Sequence, residues 1–87
     1  MRKMNNLKYF TASWCGPCRF FKPTIEELIE EGENIEIIDI DENQSLSSDY
    51  QIMSVPTLVF ENNGSTYARS SGAMPKEQVK QILAHSS

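Results

Sequence analysis

The stretch Trp14-Cys15-Gly16-Pro17-Cys18 constrains this chain more than any other, because it holds both of its cysteines at a spacing of i, i+3. A strand-like run, Leu7 to Ala12, leads into it. A helical pattern leads away, with Phe20, Phe21, Ile25, Leu28 and Ile29 spaced to share one face. Cys15 therefore falls at the first turn of a helix, where unpaired backbone N–H groups and the macrodipole favour an anion. That anion is a thiolate, since a free cysteine has a pKa of about 8.5 and helix N-termini and C-x-x-C motifs lower it. Cys18 lies one turn further in, within reach of Cys15, so the pair can close into a disulfide and reopen. The chemistry on offer is thiol–disulfide exchange, with Cys15 expected to be the more exposed and more acidic thiol. Gly16 and Pro17 suit a tight strand-to-helix turn, the proline standing where its missing N–H costs nothing.

Two other uses of the pair are disfavoured. A structural crosslink over so short a loop would constrain little of the unfolded chain. Structural zinc usually takes four Cys or His ligands. The sequence offers Cys15, Cys18 and a single histidine, His85, read as a solvated end residue, so a metal site would need a second chain.

With 87 residues, the chain is expected to form one domain, 1–87, burying ~60–70% of its unfolded surface. It has no disulfide framework, no apolar stretch typical of a signal peptide and no run of transmembrane length. A cytoplasmic, reducing compartment and a monomer with no membrane partner are the expectation. A net charge of −4 and a pI near 4.8 argue against nucleic acid as a partner.

Along the chain, both faces of Leu7 to Ala12 carry apolar residues, as in an inner strand. Lys8 is the exception and points to an incompletely covered face. The first helix is predicted from Gly16 to Glu31, kinked by Pro23 and ended by Gly32. Ile35 to Ile40 reads as a second strand, parallel to the first across a right-handed crossover. Asp41 to Asp49 reads as a short helix, capped by Asn43 and anchored by Leu46 and Tyr50. Thr57 to Phe60 reads as a third strand, and Asn63-Gly64 as the hairpin turn into an antiparallel fourth, Ser65 to Ser70. Gly72 breaks the chain, Pro75 opens a last helix, and Val79, Ile82 and Leu83 form its apolar stripe. The fold class is α/β, in the order βαβαββα, a four-stranded mixed sheet flanked by helices.

These residues resemble the thioredoxin family over roughly residues 6 to 85. Trp14-Cys15-Gly16-Pro17-Cys18 is similar to its active-site motif, and Pro23 to its kinking proline. Ser54-Val55-Pro56-Thr57 resembles the loop that carries its cis-proline. Asn63-Gly64 and Gly72 are similar to its hairpin turn and the glycine beside its substrate groove. The resemblance implies a minimal version of that fold, a short phage- or bacterial-type member lacking the usual first strand and helix. It also exposes two departures. Tyr9 stands where the family has a buried aspartate, and Ile37 where it has that residue's lysine partner.

What the resemblance implies about roles follows residue by residue. Cys15 would be the nucleophile and Cys18 the resolving thiol, with Trp14 on the docking rim or a half-buried packing residue, Gly16 in the turn, and Pro17 setting the redox poise or serving structure alone. Val55, with cis-Pro56 and Thr57, would pair with an extended substrate segment, and Gly72, Ala73 and Met74 would complete the groove. Met74 reads equally as a packing residue. Asp39, on the same strand face as Ile37, reads first as a solvated strand-end carboxylate and second as the candidate replacement for the missing acid. The implied function is a protein-disulfide reductase without a bound cofactor, regenerated by a flavoprotein reductase that draws on NADPH, with clients such as ribonucleotide reductase. A glutathione-dependent, glutaredoxin-like reductase and a binding module that uses the groove without turnover are the alternatives.

Overall fold

The computed structural model describes residues 5–85. Its elements are β1 (Asn5–Thr11), α1 (Gly16–Glu30), β2 (Ile35–Asp39), α2 (Gln44–Asp49), β3 (Thr57–Asn62), β4 (Ser65–Ser71) and α3 (Lys76–Leu83). This is the expected βαβαββα order. The sheet runs β2-β1-β3-β4. The β1–β2 pair, joined through α1, is parallel, and the other two pairs are antiparallel. Asn63 and Gly64, both at positive φ (52° and 83°), make the two-residue turn between β3 and β4, the conformation that a type I′ hairpin demands.

Side-chain alternation along the strands divides the core. Leu7 and Tyr9 of β1 and Leu58 and Phe60 of β3 face α1 and α3, where Phe21, Ile25, Leu28, Val79 and Leu83 meet them. Phe10, Ile38 and Val59 face the other way, beneath Leu46 and Tyr50 from α2 and its end. Each such fully buried aliphatic or aromatic side chain stabilises the fold by roughly 1.5–3 kcal/mol.

The helix ends follow from local chemistry. Gly32 (φ 95°) terminates α1, its N–H donating to the Ile29 carbonyl and that of Glu33 to the Leu28 carbonyl, a Schellman closure. Pro75 precedes α3 as its N-cap rather than as its first residue. Asn43 stands at the N-cap of α2 without a side-chain cap bond. Its amide donates instead to the Asp39 carbonyl at 3.0 Å.

One further expectation needs correction. Phe20 and Ile29 do not join the buried face of α1, which consists of Cys18, Phe21, Ile25 and Leu28. Phe20 is 89% exposed. At about 100° per residue it lies ~200° around the helix from Cys18, on the far side. Lys8 stands at the partly covered end of its strand face, as expected, its side chain 18% exposed beside the 58% exposed one of Glu36. Its ammonium lies 3.0 Å from Glu36 and 3.3 Å from Glu61, and Glu61 is only 3% exposed. Glu61 also accepts hydrogen bonds from Asn6 and the Tyr50 hydroxyl.

Burial pushes the Glu61 carboxyl up, but hydrogen bonds from Tyr50, Asn6 and Lys8 and the lysine charge outweigh it and hold the pKa below its ordinary value. A lowered folded pKa contributes stability above the unfolded value of ~4.3. That contribution is lost as pH falls from there through the folded value. Glu61→Gln should therefore flatten the acid limb of stability below about pH 4.5. Glu61→Leu, which leaves Lys8 beside Glu36 alone, should cost about 2–3 kcal/mol, less than breaking a wholly buried pair. Urea unfolding across pH checks both, and an unchanged acid limb in Glu61→Gln would refute the assignment.

Candidate redox site

The end of β1 and the start of α1 hold the site. From Thr11 the chain turns through Ala12, whose carbonyl accepts the Cys15 N–H at 3.2 Å. Cys15 is the N-cap of α1, in extended backbone conformation, and Pro17 lies within the first two helical positions. Cys15 and Cys18 are joined in a disulfide with Cα atoms 5.3 Å apart. The Cys18 N–H donates to Cys15 Sγ at 3.2 Å. Cys15 thus occupies the place of a capping side chain, and its sulfur receives one of the donors that a helix start leaves unpaired. That donor and the helix dipole both favour negative charge on Cys15 Sγ.

Exposure does not separate the two sulfurs as expected. In the disulfide, Cys15 and Cys18 are 4% and 3% exposed. Their surroundings do separate them. Cys15 Sγ lies 3.6 Å from the Val55 carbonyl oxygen, on the side of the loop that precedes β3. Cys18 lies one turn inward and lines a cavity of about 400 Å³ with Tyr9, Thr11, Arg19, Ile37 and Asp39.

The Val55–Pro56 bond is cis. Pro56 and Thr57 are buried, and the Thr57 hydroxyl donates to the Ser54 carbonyl at 2.6 Å. The Thr57 side chain therefore braces the loop from inside. Gly72, at φ 89°, donates its N–H to the Pro56 carbonyl at 2.8 Å, so the residue after β4 is tied to the same loop. Ala73 next to it is exposed. Met74 packs against the main core. Gly16 and Pro17 are exposed at the helix start.

Trp14 is 63% exposed beside Cys15, its indole N–H donating to Asp41 Oδ2 at 2.8 Å. Asp41 was not among the residues marked by sequence. It lies in the polar turn after β2, where one acid looks like another. Arg19 donates to the Ser13 carbonyl at 3.2 Å and secures the turn from the helix side. His85, read as a solvated end residue, is exposed but stacks on Tyr67 with ring centroids 5.5 Å apart. Among the described residues no group of three or more His, Cys, Asp or Glu side chains is placed to hold a metal ion.

The two substituted positions lie where the pairing of β1 and β2 predicts. Tyr9 and Ile37 are register partners, as are Thr11 and Asp39 one pleat further on. The Tyr9 hydroxyl is 3.4 Å from the Cys18 carbonyl, to which it donates. Burial pushes the Tyr9 phenol up, and a hydrogen bond with Thr11 offsets this only in part. Tyr9 therefore stays protonated at neutral pH and is no base. Asp39 Oδ1 accepts the N–H groups of Asp41 at 2.8 Å and Glu42 at 3.3 Å, which fixes the carboxylate at the end of β2. Oδ2 takes part in neither bond.

Comparison with known proteins agrees with this geometry. The family profile described as thioredoxin matches residues 2–85. The thioredoxin of Bacillus subtilis is 42% identical over 77 residues, which are 85% of this chain and 74% of that protein. Among solved structures, a variant thioredoxin from Halobacterium salinarum superposes with a TM-score of 0.85 at 35% identity, covering 93% of this chain and 73% of its own. Fasciola hepatica thioredoxin gives a TM-score of 0.85 at 31% identity, covering 98% and 84%.

Proposed function

Since this chain belongs to the thioredoxin family and is a thiol–disulfide oxidoreductase, we propose that it is a protein-disulfide reductase, a dithiol carrier of two electrons. The observation that carries this reading is Cys15 Sγ at the start of α1, receiving the Cys18 N–H and facing the Val55 carbonyl. In the dithiol state the Cys15 thiolate attacks one sulfur of a client disulfide. The client S–S bond breaks, a Cys15–client bond forms, and the other client sulfur leaves as a thiolate that takes up a proton. Cys18 then loses its proton and attacks Cys15 Sγ, closing the Cys15–Cys18 disulfide and releasing the second client thiol. The client gains two electrons and two protons, and the carrier is left oxidised.

The Val55 backbone supplies the docking edge, pairing with an extended client segment in the manner of strand addition. Trp14, Gly16, Pro17, Gly72 and Ala73 border it. The cycle needs no bound cofactor, because a flavoprotein thioredoxin reductase returns the electrons from NADPH. Reductive enzymes with exposed disulfides, ribonucleotide reductase among them, are the proposed clients, and the cytoplasm the proposed compartment. Of the described residues, no helix is long and apolar enough to cross a membrane.

The test is insulin-disulfide reduction with NADPH and thioredoxin reductase in one arm, and glutathione with its reductase in the other. Turnover in the first arm is expected. Turnover sustained by glutathione alone would transfer the protein to the glutaredoxin-like class. A lack of turnover in both arms, with a partner interaction that survives Cys15→Ser and Cys18→Ser together, would make it a binding module.

A further inference from the structure

The C-terminal end of α2 carries a side-chain clamp that the redox chemistry does not account for. Tyr50 follows the helix as its C-cap. Gln51 comes next with φ 54°, a left-handed conformation that a non-glycine residue adopts at a cost. The closure is otherwise regular: the Gln51 N–H donates to the Ser48 carbonyl and that of Ile52 to the Ser47 carbonyl, both at 3.0 Å. Such closures usually place glycine where Gln51 stands. Contacts from outside the turn add to these bonds, Ile52 packing against Phe10, Ile38 and Val59.

Arg69 holds the turn from the sheet side. It projects from β4, where it pairs with Val59 of β3. Its Nη1 donates to the Tyr50 carbonyl and its Nη2 to the Gln51 carbonyl, the latter at 2.8 Å. These carbonyls lie at the negative end of the helix dipole, and the planar guanidinium presents two parallel N–H donors to two successive acceptors. Four residues separate Gln51 from Pro56, so a shift at Gln51 is passed on with little slack to Val55, whose carbonyl faces Cys15 Sγ at 3.6 Å.

We propose that Arg69 is a positioning residue that sets the affinity for extended disulfide clients by fixing the Gln51–Val55 segment against the sheet. The inference rests on the reading of Val55 as the docking edge. It concerns binding alone, because Arg69 touches neither sulfur.

The experiment compares Arg69→Ala and Arg69→Lys with the natural protein on two probes. One is a linear peptide disulfide long enough to pair along Val55. The other is 5,5′-dithiobis(2-nitrobenzoate), a small aromatic disulfide with no backbone to pair. Arg69→Ala should raise KM for the peptide about five- to tenfold with kcat changed less than twofold. Reduction of the small disulfide and iodoacetamide labelling of Cys15 should stay within twofold. Arg69→Lys, which keeps the charge without the two-pronged geometry, should fall between. A peptide KM unchanged in both variants would overturn the proposal, as would equal losses on both probes. A peptide N-methylated at the pairing amide tests the premise separately. If methylation leaves its KM unchanged, the docking reading fails. If methylation raises KM and Arg69→Ala does not, only the role of Arg69 fails.

Discussion

Replacing Cys15 with serine should lower disulfide reduction by at least about 10³-fold, the scale of losing a covalent nucleophile. Cys18→Ser should leave the first half of the reaction intact and stop it at the mixed disulfide. The two thiols differ by their surroundings rather than by their exposure. Cys15 Sγ is at the helix cap, where it receives the Cys18 N–H and borders the Val55 loop. Cys18 is one turn inward, beneath Tyr9 and the cavity. A client sulfur approaching along the loop therefore meets Cys15 first. Iodoacetamide at pH 7 should label the Cys18→Ser variant quickly and the Cys15→Ser variant slowly. The Cys18→Ser protein, mixed with cell lysate, should accumulate clients in a form released by dithiothreitol. Equal labelling rates for the two variants would remove the assignment of Cys15 as the attacking thiol.

Much of this site was legible in the sequence because it is local. The position of Cys15 at the helix start follows from a strand run, two turn residues and an apolar period within about twenty residues. The parallel direction of β1 and β2 follows from the crossover, and the family resemblance placed Ile37 beside Tyr9, as the register has it. Asn63-Gly64 announced its turn because few residue pairs tolerate positive φ twice in succession. What escaped depended on contacts across the chain. Phe20 and Phe21 are adjacent, and a face defined by period admits either until the sheet selects one. Lys8 marks a partly covered face in sequence but not its partner Glu61, which comes from another strand. Gln51 is an ordinary polar residue in sequence, and only the guanidinium from β4 marks its turn as a constrained point. Asp41 gained its place beside Trp14 in the same way, through a bond across 27 positions.

The second large effect is expected at Asp39. Before Cys18 can attack the mixed disulfide it must lose a proton, and the residues nearest to it cannot take that proton. The Tyr9 phenol is held above its ordinary pKa, and Ile37 has no ionisable group. Asp39 lines the same cavity as Cys18, two residues beyond Ile37 on the same face of β2. At about 400 Å³ the cavity has room for several waters. We propose that the proton passes from Cys18 Sγ through water to Asp39 Oδ2 while Oδ1 stays bound to the N–H groups of Asp41 and Glu42. Asp39→Asn preserves shape and the turn's acceptor but removes the proposed base. It should slow release of a trapped mixed disulfide by about 10²-fold at pH 7, the usual scale of a general-base contribution. The alkylation rate of Cys15 should barely change, because that thiolate owes its stability to the helix start. Raising the pH toward 9, where hydroxide can take the proton directly, should return most of the lost rate. A loss below threefold at pH 7 would mean that solvent alone accepts the proton. A loss that persists undiminished at pH 9 would mean that Asp39 acts on structure rather than on proton transfer.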